Sequence, residues 1–152
     1  MTDSRRSPQP PLLFLGCLLA GWGLGFLRTL PIGLPDAPRF LLAGLLFVAA
    51  ISLGGWGLLT FRRQGTTPEP NGVASALLIS GPFRFTRNPL YVALSSTLVS
   101  FALCLDSAWV LLMVPVLVAL LDRLVIAREE VRLRAQFGEA YGAYLQRVRR
   151  WL

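Results

Sequence analysis

Asn88-Pro89-Leu90-Tyr91 and Glu129-Glu130 are two places where polar side chains able to do chemistry stand against long apolar stretches. The first closes the segment Gly81-Pro82-Phe83-Arg84-Phe85-Thr86-Arg87-Asn88-Pro89-Leu90-Tyr91, and the second follows Arg128 just past the last apolar stretch. Polar groups beside a membrane segment are costly unless they bind or pair with something. The chain has 0 His, so the usual Cys-His and Ser-His pairings are missing. There is also no Gly-x-Ser-x-Gly turn, phosphate-binding loop or dinucleotide fingerprint. Nucleophilic hydrolysis and metal catalysis therefore lack their customary residues, and no metal ligand set is assigned. A site of Arg, Asn, Tyr, Glu and backbone groups suits a reaction whose partners already carry the reactive atoms and need only be positioned.

The elements that must position these groups are apolar helices. Of 152 residues, 54% are hydrophobic and only 15% charged, which is too apolar for an ordinary soluble domain. Leu12 to Leu27 carries no charge, and Phe40 to Phe61 runs 22 residues without one. Pro89 to Leu105 and Ser107 to Leu121 are two shorter uncharged blocks. Since a bilayer core of roughly 30 Å takes about 20 helical residues, the expectation is an all-α integral membrane protein in a single domain, 1–152. Its four transmembrane helices would lie at about 11–28, 40–61, 89–105 and 108–126. A cytoplasmic loop and a C-terminal amphipathic helix complete it, with the site drawn from 65–91 and 123–151. Cys17 and Cys104 fall inside apolar blocks and read as small apolar residues.

The basic residues, 15 in all and every one Arg, give an orientation. Arg5, Arg6, Arg62, Arg63, Arg84 and Arg87, with seven more after the fourth block, lie on one side of the chain's path; only Arg28 and Arg39 lie on the other. The positive-inside rule then puts both termini and the long second loop in the cytoplasm. The charge reads as membrane flanking, with no nucleic-acid partner. Gly21 and Gly25, and Gly54, Gly55 and Gly57, are small residues spaced to let helices approach closely. Asp106-Ser107 makes a tight hairpin of helices three and four, and Pro115 should kink helix four. The absence of Gly and Pro from Asp122 to Gln136 predicts that helix four runs on past the membrane. Phe137, Tyr141, Tyr144, Leu145, Val148 and Leu152 then form an apolar, aromatic face, suited either to the headgroup level or to packing on the second loop.

Gly65-Thr66-Thr67-Pro68-Glu69-Pro70, Ser80-Gly81-Pro82-Phe83-Arg84 and Arg87-Asn88-Pro89-Leu90-Tyr91, taken in order, resemble the isoprenylcysteine carboxyl methyltransferase family and the related phospholipid methyltransferases. The ending is similar too: Glu129-Glu130, Leu133, Phe137-Gly138, Tyr141, Tyr144, Val148 and Arg150-Trp151. The resemblance covers roughly Gly65 to Trp151. It implies an integral membrane enzyme using S-adenosyl-L-methionine, with a lipidic or amphipathic small-molecule substrate. The placement of the Arg residues turns the active site to the cytoplasm, and a basic set made of Arg alone points to a bacterial inner membrane. By the same resemblance, Asn88, Pro89, Leu90 and Tyr91 stand where the family has His-Pro-x-Tyr and binds cofactor. Phe83 stands at an aromatic position upstream. Ser75, Ala76, Leu77 and Leu78 align with a segment whose backbone touches cofactor, and Glu129 and Glu130 with the acidic pair. An Arg that contacts substrate in the family falls at Val125 here, with Arg123 and Arg128 the nearest replacements. Asn88 in place of His keeps hydrogen bonding but cannot titrate, and Arg149 replaces a frequent Pro.

Other readings stay open at this level. Arg84 and Arg87 alone read as interfacial anchors. Glu129 and Glu130 alone read as partners of arginines one helical turn on, such as Arg134. A nicotinamide-dependent membrane reductase related to sterol reductases is an alternative, though such enzymes are much longer. So is a small membrane packing or transport protein, although four-helix exporters bury an acidic residue in helix one and this chain has none there. The sequence leaves the oligomeric state open.

Overall fold

Helix follows from composition along nearly the whole chain, and a computed structural model describes residues 8–66 and 76–152. Among these residues every element is helical. Helix α1 (Pro10–Leu27) begins on prolines, whose missing N–H costs nothing in a first turn. Helix α2 (Asp36–Arg63) starts four residues earlier than the uncharged block, because Pro38 and Asp36 both suit a first turn. Helices α3 (Pro89–Cys104) and α4 (Ala108–Leu120) form the expected hairpin. Asp106 turns it at φ 48°, and the Ser107 hydroxyl accepts the Val110 N–H at 3.3 Å. Helix α4 does run on, through a π-helical turn at Leu121–Ile126, into α5 (Ala127–Arg147). Gly138, at φ 50° and ψ −123°, bends α5 midway.

Three stretches are long and apolar enough to cross a membrane: α1, α2 and the continuous helix that begins at Ala108. Helix α3 is 16 residues long, about 24 Å at 1.5 Å per residue, short of a roughly 30 Å core. The fourth crossing expected from the sequence is therefore not carried by length alone. Helix α3 is instead the most enclosed element, with Val92, Ala93, Ser95, Leu98, Ser100, Ala102 and Leu103 all buried. In contrast, α1 and α2 turn Leu12, Leu19, Phe26, Leu41, Leu45, Val48 and Ile51 outward. Apolar surface this extensive is what a helix presents to lipid, not to water.

The core runs along one stripe. Val110, Leu117, Leu121 and Val125 are fully buried on α4 and its π-turn, against Leu98 and Ala102 of α3 and Cys17 of α1. Of the glycines spaced for close helix approach, Gly21 and Gly57 make it. A Cβ on Gly21 would lie 2.7 Å from the Val110 Cα, and one on Gly57 would lie 2.9 Å from the Leu90 side chain. Gly54 is in ordinary contact with Ala93, whereas Gly25 and Gly55 face open space.

The far end of the bundle is closed by polar bonds. Arg39 donates to the Leu103 and Cys104 carbonyls at 2.7 and 3.2 Å and pairs with Asp36 at 2.6 Å. A guanidinium at a helix C-terminus satisfies carbonyls that have no partner within the helix. Asp106 accepts the Ile32 N–H at 3.0 Å, and the Leu30 carbonyl accepts the Ala108 N–H at 2.8 Å. The near end, where α2 stops and α3 starts, is left to the site.

Replacing Gly21 by Ala should lower the thermal midpoint of the detergent-purified protein, by an overpacking cost of about 1–3 kcal/mol. Gly25→Ala should leave it almost unchanged. Equal melting of the two variants would show that α1 and α4 do not meet at Gly21.

Candidate functional site

The approach to the site is built by a 3₁₀ turn at Gly81–Arg84. Gly81 has φ 59°, and a Cβ there would lie 2.7 Å from the Thr60 Oγ1 of α2. Only glycine fits that combination. The turn drives Phe83 inward, where its ring meets Phe61 edge-on with centroids 5.5 Å apart. The Phe83 carbonyl accepts the Tyr144 hydroxyl at 2.7 Å. One loop is thereby gripped by α2 on one side and by the second half of α5 on the other.

Asn88 precedes α3 and is buried. Its backbone N–H donates to Thr86 Oγ1 at 3.2 Å, and its side-chain amide donates to the Arg150 carbonyl at 2.9 Å. The Arg149 carbonyl accepts the Arg87 N–H at 3.0 Å. The C-terminal segment is therefore strapped across residues 86–88 by backbone as well as side chain. Its own side chains reinforce the strap. Arg150 pairs with Glu130 Oε2 at 2.6 Å and with Asp122 at 3.0 Å, and Trp151 Nε1 donates to Asp122 at 3.3 Å. Arg87 pairs with Glu130 Oε1 at 3.0 Å.

Between the loop and α5 lies a cleft enclosing about 800 Å³, counting the part open to solvent. Ala76, Leu77, Leu78 and Phe83 line it from the loop, together with Arg87 and Asn88. Glu129, Glu130, Arg132, Leu133 and Gln136 of α5 line the other side, with Tyr141 and Tyr144 beyond the bend. Phe61 and Thr66 of the α2 end complete it. Glu129 Oε2 accepts the Tyr91 hydroxyl at 3.2 Å. Burial raises the Glu129 carboxyl above its ordinary value; the Tyr91 hydrogen bond and the Arg132 charge oppose this, and Glu130 adds to it. Burial likewise raises the Tyr141 hydroxyl. Hydrogen bonding to Glu130 raises the Arg150 guanidinium. The Arg87 Nε and Arg132 Nη2 are buried without a hydrogen-bond partner.

The residues singled out in the sequence fall into three groups. Ala76, Leu77, Leu78, Phe83, Asn88, Glu129 and Glu130 come together as cleft lining. Pro89, Leu90 and Tyr91 stand behind it: Pro89 is buried, Leu90 packs on Gly57, and Tyr91 reaches the cleft through its bond to Glu129. Arg123 is exposed, and neither it nor Arg128 lines the cleft. Ser75 lies outside the described residues, as do Thr67 to Pro70. Glu130 pairs with Arg87 and Arg150, so it is not a partner for Arg134 among the described residues. Arg132, Gln136 and Phe61 were not singled out by sequence reasoning as cleft residues. Arg132 and Gln136 sit three and seven places after Glu129, one helical face, and that spacing was the available signal. Tyr141 and Tyr144, the centre of the aromatic face of α5, are buried toward the loop.

Comparison with known proteins is consistent with this geometry. A 36% identity extends over 63 residues of an uncharacterized protein of Haemophilus influenzae, which is 41% of this chain and all of that protein. No solved structure matches the chain. Residues 38–140, from the start of α2 through the Gly138 bend and including the cleft's two walls, match the phospholipid methyltransferase family. With its long apolar helices and a polar cleft at one end of the bundle, this chain belongs to the phospholipid methyltransferase family, and is a membrane methyltransferase.

Proposed function

We propose that the cleft binds S-adenosyl-L-methionine and that the chain transfers its methyl group to a carboxylate or amine of a lipidic or amphipathic substrate. The observation that carries this reading is the meeting of Phe83 and Asn88 with Glu129 and Glu130 in one half-apolar cleft at the charged end of an apolar bundle. Those residues fit such a ligand. The Glu129 carboxylate accepts the Tyr91 hydroxyl through Oε2, and among the described residues its other lone pairs are left for hydroxyls or an ammonium. The Phe61–Phe83 edge offers aromatic surface for a base or a sulfonium. Arg132 has a buried nitrogen still lacking a partner.

The bound cofactor would supply an electrophilic methyl on a positively charged sulfur, so that a lone pair on the acceptor forms the new bond as the carbon–sulfur bond breaks. The chain's own residues align and desolvate. Tyr91 holds Glu129 in place from behind, and the strap through Asn88 and Arg150 holds the loop that carries Phe83. A carboxylate acceptor needs no base at neutral pH, since its ordinary pKa is about 4. An amine acceptor must first lose a proton, and no histidine is present to take it. The apolar flanks of α1 and α2 favour sideways entry of the substrate from the bilayer, with cofactor arriving from the water. In this reading α3 is the fourth crossing, both termini are cytoplasmic, and the host membrane is a bacterial inner membrane.

Titration calorimetry of the detergent-purified chain should show binding of S-adenosylmethionine and S-adenosylhomocysteine and none of NADPH. Binding of NADPH alone would transfer the chain to the reductase class. Glu129→Gln should weaken S-adenosylhomocysteine roughly tenfold, from the loss of a charged hydrogen-bond acceptor, while exposed Arg63→Ala leaves it unchanged.

The pH dependence has a definite sign. Glu129 accepts as a carboxylate, and its folded pKa is raised by burial and by the neighbouring Glu130 charge, with the Tyr91 hydrogen bond and the Arg132 charge opposing. Affinity should be full above that raised pKa and fall as pH drops through it, starting nearer neutrality than the ordinary glutamate value of about 4.3. Glu129→Gln should flatten the curve; an unchanged slope in that variant would remove Glu129 from the ligand.

A further inference from the structure

The loop before α3 has an outer side that the cleft does not use. Its 3₁₀ turn sends Phe83 inward to Phe61 and leaves Arg84 and Phe85 outside. Phe85 is 66% exposed, and its ring stands 6.3 Å from that of Trp56 on α2, itself 46% exposed. Ile79, just before the turn, is exposed as well. The turn is held closely to this stretch of α2. A Cβ on Gly81 would lie 3.1 Å from Trp56 Nε1, and the Gln64 side-chain amide donates to Ser80 Oγ at 2.9 Å. Two aromatic rings are thereby kept side by side on the surface at the near end of the bundle. Exposed rings of this kind mark the boundary between acyl chains and headgroups.

Arginine rims the same edge. Arg63 follows Trp56 by seven places, two turns on along one face of α2, and Arg84 adjoins Phe85. Those two turns rise about 10 Å, roughly the step from the edge of the hydrocarbon core into the headgroup layer. Arg62, Arg63 and Arg84 are all exposed. Among the described residues none of the three joins an ion pair, whereas Arg39, Arg87 and Arg150 all do. The positive charge here is uncompensated, and it fits a headgroup of net negative charge.

We propose that this edge binds an anionic phospholipid of the leaflet at the near end: Trp56 and Phe85 pack on it at the headgroup boundary, and Arg63 and Arg84 hold its phosphate. Guanidinium suits the phosphate because its planar fork can donate two parallel hydrogen bonds. Phe83 and Phe85 leave one turn in opposite directions, so the lipid steadies from outside the loop that lines the cleft. Nothing in this surface depends on what the cleft binds.

The test uses the full chain in nanodiscs of phosphatidylcholine doped with dibrominated lipid, which quenches indole on contact. The chain has 4 Trp, so the Trp56 signal is the emission lost in Trp56→Phe. Dibrominated phosphatidylglycerol should quench that signal at about a tenfold lower mole fraction than dibrominated phosphatidylcholine. Arg63→Gln together with Arg84→Gln should erase most of the preference, at about fivefold per arginine, the scale of one basic residue at an anionic surface. The matching Lys pair should retain part of it. Arg134→Gln with Arg147→Gln, the same charge change at exposed positions of α5, should leave it within about twofold. Equal quenching by the two lipids overturns the proposal. So does an equal loss from the α5 pair, since the lipid would then be reading the field of the whole basic end. Quenching of Trp56 by neither lipid overturns it too, and would put a second copy of the chain over this edge.

Discussion

Glu130 sits between two guanidiniums, Arg87 at 3.0 Å and Arg150 at 2.6 Å, and through them joins three stretches that are remote in the chain. Its side chain is only 13% exposed, and that of Arg87 only 14%. Charges so far from water are tolerated when each is paired and hydrogen-bonded, and removing one partner strands the other. The network therefore does more than add a contact. It dictates that the loop before α3, the start of α5 and the C-terminal segment occupy one place together. The cleft is the space left between them.

That polar knot has to be assembled at the end of a bundle whose own cohesion is nearly all packing. Against lipid, burial of apolar side chains between helices gains little, so close backbone approach and shape decide the contacts. Gly21 brings α1 against the Val110 backbone of α4, and Gly57 leaves room on α2 for the Leu90 side chain of α3. Arg39 closes the far end of α3 by capping its last carbonyls. Although Arg39 stands at the opposite end from the cleft, it helps to hold the helix whose first turn carries Tyr91. The π-turn at Leu121–Ile126 comes where the helix changes from apolar to charged. A π-turn inserts a residue into the helix and so rotates the turns after it, which bears on the face that Glu129 and Glu130 present.

Much of the helical architecture was legible because it depends on composition in blocks. The presence of α1 and α2, the hairpin at Asp106-Ser107 and the run of α4 into α5 could all be read from uncharged stretches and missing breakers, although α2 begins at Asp36, before its uncharged block. Even the cleft's two walls were visible as two polar islands and as a family resemblance. The fate of individual side chains was not. Asn88 reads as a ligand-facing amide, yet its side chain donates to the Arg150 carbonyl 62 residues away. Tyr91 reads as cofactor-binding and stands behind Glu129. Arg123 and Arg128 read as substrate anchors, while the cleft is lined by Arg87 and Arg132. Neighbouring positions on a helix differ by about 100° in direction, so local sequence gives the neighbourhood of a residue but not its facing.

By itself, then, the sequence determined an all-helical membrane protein with its polar groups gathered at one end, since hydropathy and the costs of burying charge act locally along the chain. Only the tertiary structure decided which charges cancel and which stay available. Arg87, Arg150, Asp122 and Glu130 are spent on one another, whereas Glu129 and Arg132 are not. Pairing of that kind depends on distances of about 3 Å between segments far apart in the chain, falls off steeply beyond them in geometry and strength, and is set by how the bundle packs.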